Sequence, residues 1–352
     1  MPSATRRSLE TTRGNQSGNP TACPASPMDL TARIEHNHNM ETSAMGNRRT
    51  WLNRLANLNV ARTERRGLAP HKPLLLLTIM DMIDEGNIAS RWIPYSPELF
   101  FRFSCYWDVV YHRQLNRPDM RLPFHALGGH RDRIWERFTE ERQPSRARET
   151  TRLCHMDESF WDTLQDPAFR RAARIQLVAA YFEPGEQIAL CEQLGIPEPT
   201  TEAIAIIKQD AAEYKKTLAK GRDSKFRISV LTGYQFTCAL TGYRLCTTKE
   251  YLVEAAHIHQ HADSGDDDPR NGLALTPDAH WMFDRGLWTV DFQEGNYLVR
   301  IAQGQFEEAS PLGRNLIEHH GERLYLPGTR GLQPDPKRLA WHRKSVFVGS
   351  RH

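Results

Sequence analysis

The strongest constraint on the fold of this chain is a segment in its C-terminal third where a strand, a loop and a helix follow one another closely. The segment EAAHIHQHADSGDDDPRNGLALTPDAHWMFDRGLW opens with an apolar strand that ends at His257. An acidic loop follows, and Asn271 with Gly272 turns the chain into a second short strand that ends at Leu275. This order of elements predicts a β-hairpin followed directly by a helix.

Three adjacent residues predict where that helix begins. Thr276 is a candidate N-cap, Pro277 suits the first helical position, and Asp278 complements the positive end of the helix dipole. His280 then falls in the first turn and Asp284 one turn later, on the same helix face. The helix is therefore expected to present an imidazole and a carboxylate side by side.

Imidazole groups beside an oxygen-rich loop suit the hydrolysis of a phosphodiester. That reaction needs an activated water, a cation against the charge that builds on the phosphate, and rigid positioning. A neutral imidazole and an oxygen-rich metal site supply these needs. The hairpin and the helix that follows it bring such groups together.

The order His257, Asn271, His280, followed by F-D-x-G, resembles the HNH (ββα-metal) endonuclease family, and E-A-A-H-I resembles its restriction-type branch. The resemblance implies that His257 is the general base, that Asn271 holds the loop and orients that base, and that His280 is a metal ligand. It also implies a divalent metal ion, with Mg²⁺ or Mn²⁺ suitable and Ni²⁺, Co²⁺ or Zn²⁺ acceptable to a site that contains histidine.

One position departs from the commonest pattern of that family. The residue before the first histidine, often an acidic metal ligand, is Ala256, and Glu254 lies two residues further back. Side chains alternate along a strand, so Glu254 should share a face with Ala256 and lie opposite His257. We therefore expect Asp284 to be the second metal ligand in preference to Glu254.

The other polar residues of the segment have plainer interpretations. His259 and His261 are expected to be exposed loop histidines, with added metal affinity as the alternative. The acidic run 266–268 is expected to be a solvated loop. Cys238 and Cys246 are expected to be buried thiols, because the chain has no C-x-x-C pair for a zinc site of four thiolates.

Upstream of this module the sequence predicts an arm, a helical domain and a linker. Residues 1–45 are rich in Ser, Thr, Asn, Pro and Gly and are expected to be a disordered arm. Residues 46–183 carry helical apolar spacing, with a buried helix over Leu74 to Met82. A linker with a helix over 184–224 leads to a nuclease domain over 225–352, so the predicted fold class is α+β.

The helical domain, through PHKPLLLL and MRLPFHAL, resembles the sulfur-recognising domain of phosphorothioate-dependent, McrA-like (type IV) restriction endonucleases. The order of that domain and an HNH domain is also similar. The resemblance implies an apolar pocket for the sulfur of a modified DNA backbone, with basic groups beside it. The residues carried over for DNA and sulfur binding are His71, Lys72, Arg121, Leu122, Pro123, His125 and Ala126.

Two features of this region have a structural alternative. Leu122 stands where relatives place Tyr, and PHKPLLLL also fits the start of an ordinary core helix. The stretch from Arg102 to Arg133 mixes arginines with aromatic residues, which suits contacts to a DNA backbone, although solvated helix faces over a core would give the same pattern.

Composition excludes some classes of protein without selecting a function. A quarter of the residues are charged, 39% are hydrophobic and the formal net charge is +3, which is ordinary for a soluble protein. No stretch reaches the length of a membrane span, and the chain begins without a signal-like apolar core. The six cysteines lack a disulfide-like spacing, so a reducing, cytoplasmic location is expected.

The sequence thus predicts a modification-dependent restriction endonuclease. Its partner would be double-stranded, modified DNA, recognised by the helical domain and cut by the HNH domain, and cutting both strands would favour a homodimer. Two alternatives remain open. One is an HNH restriction enzyme that reads another modification, such as an altered cytosine, or unmodified sequence. The other is a non-catalytic DNA-binding protein with an HNH scaffold.

Overall fold

The computed structural model describes residues 45–63, 67–113, 118–247, 250–260, 266–310 and 313–349. The chain divides into two compact units, residues 1–46 and residues 47–352. The predicted disordered arm, residues 1–45, lies outside the described residues except for its last position. The account that follows concerns residues 47–352.

The N-terminal part of this unit is mainly helical, as predicted. Helix α1 covers residues 45–56, and eleven further elements follow as far as residue 194. They are β1 (Arg62–Thr63), β2 (Gly67–Leu68), α2 (His71–Asp84), β3 (Trp92–Pro94), α3 (Pro97–Val109), α4 (Arg121–Ala126), β4 (Trp135–Phe138), β5 (Leu153–Met156), α5 (Glu158–Leu164), α6 (Pro167–Tyr181) and α7 (Pro184–Leu194).

Helix α2 forms the centre of the first core. Its run from Pro73 to Met80 is buried throughout, which matches the buried helix predicted over Leu74 to Met82. Pro73 stands in the first turn, where its missing N–H removes no intrahelical hydrogen bond. The helices α3, α4 and α6 pack around α2.

A small antiparallel sheet covers one side of this helical core. Strand β5 lies between β3 and β4, and Cys154 faces Ile93 on one side and Arg137 on the other. Ile93 and Cys154 are fully buried. The sheet therefore adds Ile93 and Cys154 to the core, while its other face carries an aromatic cluster of Trp92, Phe138 and His155.

The predicted linker helix is two helices, α8 (Glu202–Gln209) and α9 (Ala211–Gly233). The chain breaks at Asp210, whose extended backbone ends α8 and whose carboxylate accepts hydrogen bonds from the backbone N–H groups of Ala212 and Glu213 in α9. Helix α9 runs past residue 225, so the predicted boundary between linker and nuclease domain falls inside a helix.

In the described residues, the C-terminal part contains two hairpins and two helices. Both hairpins are antiparallel pairs, β6 with β7 and β8 with β9. The elements are β6 (Glu254–His257), β7 (Gly272–Leu275), α10 (Pro277–Asp284), β8 (Trp288–Gln293), β9 (Asn296–Ile301) and α11 (Pro336–Ser345). Short 3-10 turns occupy Tyr111–Arg113, Pro269–Asn271, Leu316–His319 and Arg330–Leu332. The fold is α+β, as predicted.

Helix α9 packs against both parts of the unit. It contacts α3 and α7 on the N-terminal side and β6 and β7 on the C-terminal side. Glycine permits both approaches: a Cβ on Gly221 would stand 2.3 Å from the backbone oxygen of Ala189, and a Cβ on Gly272 would stand 2.3 Å from Cγ2 of Val230. In the described residues no helix is both long and apolar enough to cross a membrane.

Replacing Gly272 by alanine should push the β6–β7 hairpin away from α9. The added methyl group would meet Val230 and the ring of Phe226, so we expect Gly272→Ala to lower the free energy of unfolding by about 1 to 3 kcal/mol. Chemical denaturation measures the change. Gly185→Ala is the matched control, because its Cβ meets nothing within 4 Å, and an equal loss in both variants would contradict the close approach.

Candidate active site

The β6–β7 hairpin sets the ends of the loop that the sequence analysis singled out. His257, the last residue of β6, pairs with Gly272, the first residue of β7. The loop from residue 258 to residue 271 therefore leaves and rejoins the hairpin at adjacent points. Helix α10 follows β7 after one residue.

Asn271 is fully buried and holds both ends of this loop. Its side-chain oxygen accepts a hydrogen bond from the backbone N–H of His259 at 2.9 Å. Its amide nitrogen donates to the backbone oxygens of His259 at 2.9 Å and Asp266 at 3.0 Å. Three hydrogen bonds from one buried side chain fix the loop beside His257.

The imidazole of His257 lies between an aromatic ring and a carboxylate. It stacks on Phe226 of α9, with ring centroids 3.9 Å apart and planes 7° apart. Its Nε2 lies 3.5 Å from Oδ1 of Asp267. The ring is therefore held in one orientation at the end of β6.

His280 lies in the first turn of α10, as predicted. Thr276 is the N-cap residue, but its side chain makes no cap hydrogen bond, and Pro277 takes the first helical position. Nδ1 of His280 lies 3.0 Å from Oε2 of Glu254, and Nε2 lies 3.5 Å from Oδ2 of Asp284. The two carboxylates therefore contact opposite sides of one imidazole ring.

His257 and His280 line one open cleft with a volume of about 1330 Å³. Glu254 lines the same cleft, whereas Asp284 does not. Its lining also includes residues of the N-terminal part, among them Tyr95 and Arg121. The cleft is large enough for a polymeric substrate to reach both histidines.

The fit of a divalent ion can be judged from the donors around His280. One imidazole and two carboxylates are the donor types that take Mn²⁺, Mg²⁺ or Zn²⁺. In the described residues, no group of three or more His, Cys, Asp or Glu side chains stands ready to enclose an ion. The two ring nitrogens point away from each other, so an ion on one nitrogen is close to only one of the two carboxylates.

Two expectations about the acidic loop were wrong. Asp267 is only 11% exposed and pairs with Arg222, so the run 266–268 is not simply a solvated loop. Asp266 and Asp268 both contact Arg338 of α11. His259 is not an exposed loop residue, because it stacks on Trp341 at 3.7 Å.

The remaining predictions for this segment have mixed outcomes. Cys238 is fully buried, as expected, but Cys246 is only partly buried. His261 lies outside the described residues.

The first two residues predicted to contact DNA have structural partners. Nζ of Lys72 lies 2.5 Å from Oδ2 of Asp132, and both side chains are largely buried. His71 packs edge-on against Trp107, and burial lowers its pKa below the ordinary value of 6.5. Both residues hold the start of α2 in place.

Residues 121–126, which include the other residues predicted to bind DNA or sulfur, form α4. Their side chains differ in burial and in contacts. Pro123 is buried and Ala126 is half-buried, while Leu122 is 44% exposed. Arg121 lies over the ring of Tyr95 in the cleft. His125 contacts Oγ1 of Thr151 at 2.9 Å and Arg137 at 2.7 Å. Burial, and next the charge of Arg137, lower the pKa of His125.

Two arginines of the stretch predicted to contact a DNA backbone, Arg102 and Arg113, are engaged in the fold. Arg102 is fully buried and contacts three carboxylates. Arg113 pairs with the buried carboxylate of Glu186. Arg131 is exposed, and Arg117 lies outside the described residues. The alternative of residues packed over a core therefore accounts for more of this stretch than a DNA-facing surface does.

A second open cleft, of about 910 Å³, gathers arginines that the sequence analysis did not select. It lies beside the β3–β5–β4 sheet, and its wall includes Arg91, Arg133, Arg137 and Arg146. Arg133 and Arg137 lie four residues apart, but Arg91 is distant from them in sequence, so no single local pattern groups all four.

The sequence analysis also missed three residues that support His257, namely Arg222, Phe226 and Asp267. Arg222 and Phe226 lie four residues apart on α9, so their spacing already indicates one helix face. Nothing local to Asp267 distinguishes it from the two neighbouring aspartates, because its partners come from distant elements.

Comparison with known proteins identifies the module. Residues 238–291 match the HNH endonuclease family. No curated protein matches the chain. A solved structure titled "Modification dependent TagI restriction endonuclease" is 17% identical, with a TM-score of 0.26, and the alignment covers 35% of this chain and 37% of that one.

The structural likeness is too distant to carry an argument about function, and the chain spans just over a third of that structure. The family match by itself confirms the predicted HNH endonuclease domain and the prediction of an enzyme of that class.

Acid should weaken the packing that supports α10. His342 of α11 is 2% exposed, stacks on Phe283, donates from Nε2 to the backbone oxygen of Phe283, and accepts at Nδ1 from the hydroxyl of Thr289. Burial lowers the pKa of His342 from 6.5 to about 4. Its contribution to stability is therefore complete above about pH 6.5 and is lost as the pH falls through about 4.

We expect the wild-type protein to lose up to about 3 kcal/mol more of its unfolding free energy between pH 7 and pH 4 than His342→Gln loses. Chemical denaturation at the two pH values measures the difference. Other histidines titrate in both proteins, so their effects cancel. Equal losses would show that His342 does not stay neutral in the folded state.

Proposed function

We propose that this chain is a divalent-metal-dependent DNA endonuclease that cuts at modified sites. The observation that carries the proposal is that His257 and His280 line one cleft, with Asn271 fixing the loop between them, inside the segment that matches the HNH endonuclease family. Phosphodiester hydrolysis uses this combination of a fixed imidazole and a second imidazole beside carboxylates.

His257 is the general base of the proposed reaction. Its imidazole takes a proton from a water molecule as the water oxygen attacks phosphorus, and the bond from phosphorus to the leaving oxygen breaks. Asn271 supports this role indirectly, because its three hydrogen bonds keep the loop from moving away from the ring. Both roles agree with those predicted from the sequence.

His280 and Glu254 are the proposed metal-binding residues. The sequence analysis preferred Asp284 to Glu254, but Glu254 is nearer to His280 and is the carboxylate that lines the cleft with His257. Histidines that bind a metal usually donate their other N–H to a carboxylate, which is the role that suits Asp284. A divalent ion bound there would offset the negative charge that develops on the phosphate.

The proposed mark on the DNA is a backbone phosphorothioate. Sulfur is larger, softer and less strongly hydrated than oxygen, so an apolar surface can prefer it. The exposed side chain of Leu122, with Arg121 next to it in the cleft, supports such a contact. The arginine-lined second cleft supports contacts to the rest of the backbone.

Cleavage of both strands would need two HNH sites, so we propose a homodimer as the active form on duplex DNA. The two alternatives, another modification or binding without cleavage, are outcomes of the following experiment.

Matched DNA duplexes that differ only by phosphorothioate modification, incubated with Mn²⁺ or Mg²⁺, test the function directly. We expect cutting of the modified duplex alone, and His257→Ala should lower the rate at least about 100-fold because the proton acceptor is lost. His112→Ala, an exposed imidazole outside the large cleft, is the control.

Each outcome of this experiment selects one function. Cutting of both duplexes would keep the nuclease and remove the sulfur specificity. Binding with no cutting would favour the non-catalytic alternative.

Cysteine substitution can identify the carboxylate that shares the metal with His280. If Glu254 is the ligand, Glu254→Cys should give a thiolate-to-cadmium charge-transfer band on addition of Cd²⁺, whereas Asp284→Cys should not. The readout is the ultraviolet difference spectrum against the wild-type protein, which cancels its own six cysteines. A band in Asp284→Cys alone would show that Asp284, the ligand preferred in the sequence analysis, shares the metal with His280 instead of Glu254.

A further inference from the structure

The acidic loop before Asn271 is anchored from outside the hairpin. Nη2 of Arg338 in α11 lies 2.7 Å from Oδ2 of Asp266 and 3.4 Å from Oδ2 of Asp268. The hydrogen bond from Arg270 is the largest cause that lowers the pKa of Asp268 to about 2. Backbone contact adds to this, since the N–H of Asp335 donates to the oxygen of Arg270 at 2.9 Å. Helix α11 and its N-terminus therefore fix the residues on both sides of Asp267.

Asp267 itself points to the opposite side, toward α9 and the end of β6. Its Oδ1 lies 3.5 Å from Nε2 of His257, and its Oδ2 lies 3.5 Å from Nε of Arg222. The side chain is 11% exposed. Phe226, one turn after Arg222 on α9, covers one face of the His257 ring. The carboxylate is thus held by a cation on one oxygen and faces the imidazole with the other.

We propose that Asp267 is a positioning residue that sets the tautomer of His257, an inference that rests on the proposed function of His257 as general base. A neutral imidazole carries its single proton on one nitrogen, and a carboxylate beside Nε2 favours the proton there. Nδ1 then keeps its lone pair and is the atom that accepts the proton from water. The negative charge of Asp267 also stabilises the imidazolium that forms in this step.

Asn271 and Asp267 have separate tasks in this arrangement. Among the described residues, the Asn271 side chain bonds to the backbone of the loop, so it fixes where the loop runs. Asp267 faces the ring of His257, so it determines which ring nitrogen is protonated. Removing Asn271 should loosen the loop as a whole, whereas removing the charge of Asp267 should leave the loop in place.

Asp267→Asn tests the inference, because asparagine has the same shape but can donate a hydrogen bond to Nε2. We expect it to favour the wrong tautomer, with the proton on Nδ1, and to lower kcat at least tenfold with little change in KM. In the His257→Ala background the same substitution should cause no further loss, since Asp267 acts through the ring.

The tautomer is measured independently of activity by nitrogen NMR of protein labelled at histidine, with the His257 signals assigned by their absence in His257→Ala. The control is Asp291→Asn. The Asp291 side chain is 12% exposed, close to the value for Asp267, and its carboxylate pairs with Arg300 and Arg343 away from the cleft. It should leave both the rate and the His257 signals unchanged.

Two results separate this inference from the proposed function. A wild-type protein that cuts DNA, together with an Asp267→Asn variant that has the same rate and the same His257 tautomer, would overturn the role of Asp267 and keep the nuclease. A wild-type protein that cuts no duplex would overturn the function, and the NMR signals would still decide whether Asp267 sets the tautomer.

Discussion

The close packing of helix α9 against the β6–β7 hairpin is the constraint on which the rest of the site depends. Gly272 has no side chain at the point of contact, so the helix approaches the strand backbone directly. This approach brings Phe226 onto the ring of His257 and Arg222 next to Asp267. A one-residue shift of α9 would turn both side chains away, because successive helical residues point about 100° apart. The orientation of His257 is therefore a property of tertiary packing as much as of its own strand.

The hairpin and the helix that follows it could be predicted from the sequence because their signals are local. A strand that ends at His257, a turn that ends at Asn271 and a proline at the start of α10 each act within a few residues. The family resemblance rests on the same short stretch, and the family match confirmed it. Burial of Asn271 also follows locally, since its side chain bonds to the loop that it closes.

The partners of charged residues could not be predicted in this way. Lys72 and Arg113 are basic residues of the kind expected on a DNA-binding surface. In the structure, however, Lys72 pairs with Asp132 and Arg113 pairs with Glu186, and each carboxylate is distant in sequence. Charge counts give the number of cations but not which of them are neutralised inside the fold. Asp267 is the converse case: three consecutive aspartates have the same local environment in sequence, and only long-range contacts make one of them face His257.

Helix α9 also links the site to the region predicted to recognise DNA. On the side away from the hairpin, the hydroxyl of Ser224 donates to the backbone oxygen of Cys105, and Arg227 pairs with Asp108, both on α3. Ser224 is buried and lies between Arg222 and Phe226 in sequence, so one turn of α9 carries the contacts to both regions. A displacement of α3 that keeps these contacts must move this turn, and with it the groups that orient His257. The region predicted to recognise DNA and the proposed base His257 are therefore connected by the packing of one segment of α9.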